Sequence, residues 1–375
     1  MRSRVSAGAA NRPVLASTPL SADGRADLGR QLSMVRAMEG KGVRIRVFTT
    51  CPQTKDVAAA DYAERVAAIA RWSEEAGCHG ILVYTDNGIA DPWLVAQLII
   101  QSTQTLSPLV AVQPVYMTPY AAAKMVATIG YLHGRRVDLN MVAGGFRKDL
   151  LSLCDDTAHD DRYVRLVEYA QVVRGLLTSS KPFSFEGKYY SLVNARLEPR
   201  LDERLLPDFT VSGSSPAGMA AARALGATAV KYPQPPHREA PDPGAVVAAG
   251  IRVGVIARPT ESEAWEVAND RFPADRLGQL THAVAMSVTD SEWHKQLSAP
   301  EDGAPASPDA YWLWPFQNYQ TFCPYLVGSY DRVADELRLY LERGFRTFIL
   351  DIPRSLDDLE HANLAFERAR SSVAA

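Results

Sequence analysis

The sequence predicts an α/β protein, a (β/α)8 TIM barrel with insertions. Short apolar runs alternate with amphipathic stretches along the chain, eight such runs fall between residues 42 and 352, and a length of 375 residues suits a barrel with additions. Runs without polar alternation have both faces covered, which calls for parallel pairing. Eight strands with intervening helices favour closure, and an open doubly wound sheet is the alternative.

The alternation begins with GVRIRVFTT (42–50) and an amphipathic stretch, 58–76, that stops at Gly77. GILVYTD (80–86) is the second strand, followed by a helix at 92–104 that opens on Pro92, a residue that first helical turns tolerate. SPLVAVQPV (107–115), a helix at 118–132 and RVDLNMVAG (136–144) complete the first half. In the second half the strands are DFTVSG (208–213), ATAVKY (227–232), IRVGVIA (251–257) and FRTFILDI (345–352). Helices are expected near 162–178, 216–225, 260–271, 330–343 and 356–370.

Two stretches break the repeat. FSFEGKYYSLVNARLEP (183–199) alternates with period two around Glu186-Gly187 and reads as a hairpin after strand four, outside the barrel. Residues 298–327 carry Trp312, Trp314, Phe316, Tyr319, Phe322 and Tyr325 without periodicity before the last strand. They read as a lid loop closing over something apolar, or more plainly as a packed surface loop or a contact between copies. Residues 1–41, rich in Ala, Arg, Ser and Gly, read as a partly mobile N-terminal extension, and 42–375 as one barrel domain.

A net charge of −3, with both signs spread along the chain, argues against nucleic acid or an anionic membrane as partner. No apolar run is long enough to span a bilayer, and no signal-peptide core opens the chain, so a cytoplasmic location is expected. Cys51, Cys78, Cys154 and Cys323 are far apart and suggest neither a zinc site nor a disulfide framework.

Reactive groups of barrels gather where strands end. Those ends carry Thr49, Thr50 and Cys51; Tyr84, Thr85 and Asp86; Gln113; Asn140; Gly213, Ser214 and Ser215; Lys231 and Tyr232; Arg258; and Asp351. The set is polar but poor in acid–base groups, with no metal spacing, GxSxG elbow or phosphate-binding P-loop, so a cofactor is expected to carry the chemistry. SGSSPAG (212–218), between a strand and a helix, can hold a phosphate through free N–H groups and hydroxyls, or its serine can simply cap the helix. HDDRY (159–163) is either a capped loop or a His and a Tyr reaching over the mouth to a ligand's polar tail. Arg252, by alternation on one face with Gly254 and Ile256, needs a partner if buried, with Asp351 on the adjacent strand the candidate. It makes a structural ion pair or stabilises an anion. Cys51 reads as a buried thiol.

The runs HDDRYVRLVEYAQVVRGLL (159–177), FEGKYY (185–190) and FTVSGSSPAGMAAARALGATAV (209–230), with NMVAGG (140–145) and GIRVGVIARPTESEAW (250–265), resemble the bacterial luciferase-like flavin monooxygenases, nearest the alkanesulfonate branch. The resemblance implies a (β/α)8 barrel that uses reduced FMN and O2 to oxygenate an organic small molecule, with secondary metabolism one setting. It also implies flavin delivered by an NAD(P)H-dependent flavin reductase, and a homodimer or homotetramer. Ser214 and Ser215, with Gly213, match the phosphate-binding loop, and Tyr163 and His159 the tyrosine motif beside it. Asn140 and Ala143 match positions beside the flavin ring, with Thr85 and Gln113 at neighbouring strand ends in the same cofactor-binding set. Arg252 matches an arginine that stabilises substrate or intermediate, and is expected to be catalytic together with Asn140.

The departures concern the substrate side. The sulfonate enzymes carry histidine where this chain has Gly254, cysteine where it has Ile89, and tyrosine where it has Ile352 beside a retained Pro353. Arg354 stands where relatives place histidine, and the strand-one histidine is missing around Thr49, Thr50 and Cys51. A larger and less anionic substrate is expected. Two alternatives remain: an F420-dependent hydride-transfer enzyme on the same barrel, and a catalytically silent flavin-binding homologue.

Overall fold

The computed structural model describes residues 43–239, 248–276, 278–279 and 310–373. The expected extension at 1–41, and 298–309 of the aromatic segment, lie outside the described residues. The first half runs β1 (Arg46–Thr50), α1 (Tyr62–Glu75), β2 (Gly80–Val83), α2 (Pro92–Ser102), β3 (Ser107–Val112), α3 (Pro119–His133), β4 (Asp138–Val142), α4 (Arg147–Ser152) and α5 (His159–Thr178). Then come β5 (Phe183–Glu186), β6 (Ser191–Ala195), β7 (Phe209–Ser212), α6 (Pro216–Leu225), β8 (Thr228–Lys231), β9 (Ala249–Arg252), β10 (Gly254–Arg258) and α7 (Glu261–Arg271). The described chain ends with β11 (Tyr311–Trp312), α8 (Trp314–Gln317), β12 (Tyr325–Ser329), α9 (Tyr330–Glu342), β13 (Phe345–Ile349) and α10 (Leu356–Val373).

Eight strands form a closed barrel in the order β1-β13-β9-β8-β7-β4-β3-β2. Parallel pairing of β1 with both β2 and β13 closes it, so the open-sheet alternative is set aside. Its interior is filled by Phe48, Leu82, Leu109, Val230 and Ile349, one from each of five strands. The opposite faces of the strands pack on the helices, as their continuous apolar character requires. Local chemistry sets the helix starts: Asp91 accepts from the N–H groups of Trp93 and Leu94 ahead of Pro92, and Thr118 accepts from that of Ala121 ahead of Pro119.

β5 and β6 form the expected antiparallel hairpin, which Glu168 of α5 ties down by accepting from the N–H groups of Lys188 and Tyr189. The seventh apolar run departs from expectation, because it is two strands. β9 ends in the barrel at Arg252, and β10 leaves it to pair in parallel with β12, which pairs antiparallel with β11. The N–H of Val253 still donates to Ile349 of the barrel, whereas that of Gly254 donates to Pro324 outside it. Arg252 therefore does not share a strand face with Gly254 and Ile256. Both pieces are apolar, so no polarity change marks the break.

The described part of the aromatic segment is not an irregular loop. Tyr311, Phe316 and Tyr325 are buried, and Trp312 packs edge-on to Trp265 and Phe272. Trp312 thus packs on the outer sheet, while the Phe322 ring lies against Lys55 Nζ of the loop that follows β1.

His361 of α10 is buried against α9, its Nδ1 2.6 Å from the Tyr330 hydroxyl. Burial, with the Arg258 guanidinium adding to it, pulls its pKa from 6.5 down to about 4. The unfolded chain gains this proton near the ordinary value and the folded chain only near the lowered one, so stability falls as pH drops through that window. Melting between those pH values should show a loss on the order of 1–3 kcal/mol that His361→Gln largely removes.

Candidate active site

The carboxyl ends of the strands surround a cleft with about 1320 Å³ of space including its open mouth. Thr85, Gln113, Asn140, Ala143 and Arg252 line it from strands or the residues just after them. Gly213, Ser214, Ser215, His159 and Tyr163 line it from the starts of α5 and α6. The residues that the resemblance matches to cofactor binding and catalysis thus line one cleft. Other strand-end candidates do structural work: Thr50 donates to the Leu350 carbonyl, Thr49 bonds Ser73, and Arg258 pairs with Asp358. Cys51 is buried, and burial pushes its thiol pKa up.

At one end, two serines of the same loop behave differently. Ser215 is the N-cap of α6, and its Oγ accepts from the N–H of Gly218 at 3.2 Å. The capping reading therefore holds for Ser215. Ser214 Oγ is buried and has no hydrogen-bond partner. The hydroxyl of Tyr163 lies so close to Gly213 that a Cβ there would run into it. His159, the first residue of α5 rather than a loop residue, packs edge-on to Tyr163 with ring centroids 5.3 Å apart and has Nδ1 2.7 Å from Asp160. Two helix starts, an orphaned hydroxyl and a phenol suit a phosphate, whose oxygens would satisfy Ser214.

In the middle, Asn140 is buried on β4, and its Oδ1 accepts from Thr210 Oγ1 (2.8 Å) and Ser212 Oγ (2.9 Å) on β7. That leaves its amide N–H donors for the cleft. Gln113 is likewise buried and lines the cleft, while Ala143 keeps the wall low. Two amides over small side chains fit the polar edge of a planar heterocycle, so the residues present fit a phosphate-bearing flavin.

At the far end, Arg252 is 5 % exposed. Its Nη1 donates to the Tyr232 hydroxyl at 2.7 Å, its Nη2 lies 3.5 Å from Asp351 Oδ1, and it stacks over the Tyr84 ring at 4.7 Å. Asp351 is the partner expected for it. Asp351 Oδ2 accepts in turn from Tyr325 (2.8 Å) and Thr321. Burial, with Cys323 and Asp351 nearby, raises the hydroxyl pKa of Tyr232. Burial and Asp351 do the same for Tyr325. Both stay protonated and work as hydrogen-bonding groups. Lys231 lines the cleft, but its ammonium is held by buried Glu239.

The glycine that replaces a family histidine has a physical reason. The Tyr325 ring lies against Gly254, and a Cβ there would meet it. A tyrosine from β12 thus fills the space. The sequence reading missed Tyr325 and Thr321 as parts of the site, and the only signal for them was the unexplained aromatic segment.

On the β2–β3 side the cleft shares Thr85, Asp86, Gln113 and Tyr116 with a second chamber of about 990 Å³, walled by Trp93, Met117 and Leu153. Among the described residues no group of three or more metal-ligating side chains is present, and no helix is long and apolar enough to cross a membrane.

A closed parallel barrel with a phosphate-type pocket and a donor-lined wall at the carboxyl ends of its strands defines a (β/α)8 protein. The model of the luciferase-like monooxygenase family matches residues 43–347, and the chain belongs to that family. It is 32% identical over 319 residues, 84% of this chain and 92% of the relative, to 4-(gamma-L-glutamylamino)butanoyl-[BtrI acyl-carrier protein] monooxygenase BtrO of Niallia circulans. Among solved structures, its fold is similar to riboflavin lyase with modified FMN and substrate riboflavin (TM-score 0.64, 17% identity, 88% of this chain and 92% of that one). It is also similar to an F420-dependent secondary alcohol dehydrogenase in complex with an F420-acetone adduct (TM-score 0.58, 16% identity, 88% and 99%).

The two serines should separate experimentally. Ser215→Ala should lower stability by about 1 kcal/mol through loss of the cap, read by thermal melting. Ser214→Ala should leave the melting temperature unchanged and weaken binding of a phosphate-bearing flavin about tenfold relative to riboflavin.

Proposed function

We propose that the protein is a two-component monooxygenase that uses reduced FMN and O2 to oxygenate an organic acyl compound. The observation that carries the flavin part is the orphaned Ser214 hydroxyl beside Gly213 and Tyr163, at the end of a cleft whose middle offers amide donors. Ser214 and the start of α6 would hold the phosphate, and Asn140, Gln113 and Ala143 would border the ring. When bound, reduced flavin supplies the two electrons with which one oxygen atom reaches the substrate and the other leaves as water. Arg252 and Tyr232 orient a substrate oxygen at the far end.

The acyl reading is supported by the similarity to BtrO, whose name specifies a carrier-bound acyl group, and by the chamber that lengthens the cleft. Reducing equivalents would come from a separate NAD(P)H-dependent flavin reductase, as the family resemblance implies. A homodimer is supported by α2 and α3, which leave Leu94, Tyr131 and Leu132 more than half exposed.

Anaerobic titration with reduced FMN followed by O2 tests the proposal. Reduced FMN should bind at micromolar concentration, and O2 uptake should rise with an acyl thioester present. Absence of reduced-FMN binding would sink the flavin reading. Reduction of F420 by an alcohol without O2 uptake would favour hydride transfer instead, a reading that the F420-dependent neighbour supports through the fold alone. Arg252→Met should lower turnover about 100-fold while leaving reduced-FMN affinity within a few-fold. Tyr131→Glu with Leu132→Glu should shift size-exclusion elution to that of a monomer.

A further inference from the structure

We propose that Asp351 is a specificity-determining residue: by neutralising Arg252 it fits the far end of the cleft to an uncharged oxygen acceptor and turns anions away. The inference rests on the reading of this cleft as the place where an acyl compound is oxygenated, and it names the charge state that the cleft selects.

Arg252 forms part of the cleft wall yet is almost wholly buried. Of the five N–H donors of a guanidinium, one goes to Tyr232, and Asp351 stands opposite Nη2 at 3.5 Å. Nε has no hydrogen-bond partner. The group is therefore short of acceptors but not of counter-charge, since the partly buried Asp351 carboxylate lies beside it. A buried site with spare donors and a cancelled charge favours the oxygen of a thioester, amide or ketone. An anion brought to Arg252 would lose its hydration without meeting an uncompensated positive charge in return.

The position of Asp351 is fixed from outside the barrel. Tyr325 and Thr321 both donate to Oδ2, which leaves Oδ1 toward Arg252. Tyr325 can stand there only because residue 254 has no side chain. In the layer behind, Asp358 is shared by Arg258 and Arg271. With Asp358 already engaged, removal of the Asp351 charge would leave Arg252 without its counter-charge.

The test uses the full-length protein and an isosteric pair of probes that differ in charge, butanesulfonate and butanesulfonamide, with S-butanoyl-N-acetylcysteamine as an acyl probe, all by calorimetry. Wild type should bind the sulfonamide at least about tenfold more tightly than the sulfonate. Asp351→Asn should reverse that order, and Tyr325→Phe, which keeps the carboxylate, should not. Equal or stronger binding of the sulfonate by wild type overturns the proposal and requires no variant to fold. A gain of sulfonate binding in Tyr325→Phe equal to that in Asp351→Asn also overturns it. Sulfonate gained only in Asp351→Asn, with the thioester bound by neither protein, supports the charge selectivity and defeats the acyl reading.

Discussion

The hydrogen bonds from β1 to β2 on one side and to β13 on the other close the sheet, and closure gathers distant residues at one mouth. Thr85 of the second strand region, Ser214 of the fifth and Arg252 of the seventh are far apart in the chain and share one cleft only because the barrel returns to its start. Parallel pairing forces all strands to end on the same side, so the loops that follow them are the natural place for chemistry. The interior layer of Phe48, Leu82, Leu109, Val230 and Ile349 keeps that mouth open above a solid floor.

Much of this was legible in the sequence. Continuous apolar runs at regular spacing identify the barrel strands, because a buried strand has no polar face to display. The phosphate-type pocket was legible for a related reason: its residues sit in one compact stretch, SGSSPAG, and in the opening turn of one helix, where local spacing carries the geometry. The far end of the cleft was not. Asp351, Tyr325, Thr321 and Arg252 come from separate segments, and their meeting depends on the chain leaving the barrel after Arg252. Nothing local marks that departure, since Val253 is as apolar as the residues around it.

The two ends also differ in how they are held. Tyr163 stands on α5 and Ser214 on the loop from β7 into α6, and both helices pack on the barrel, so the phosphate-type pocket is part of the barrel wall. Arg252 is on the wall too, but the groups that orient its counter-charge belong to the outer sheet of β10, β12 and β11. Interactions at the first end are local hydrogen bonds and caps. Those at the second are a buried ion pair between aromatic rings, whose strength depends on the exclusion of water.

The outer sheet has a consequence for how such a protein can diversify. Its strands contribute no hydrogen bond to barrel closure, so β11, β12 and the segment between them can change in sequence without disturbing the parallel register that sets the phosphate-type pocket. The single glycine at position 254 is the joint between the two parts: whatever side chain the outer sheet presents there must fit against it. Exchange of this module between related barrels, with residue 254 exchanged alongside it, would rebuild the far end of the cleft while leaving the barrel and its phosphate-type pocket intact.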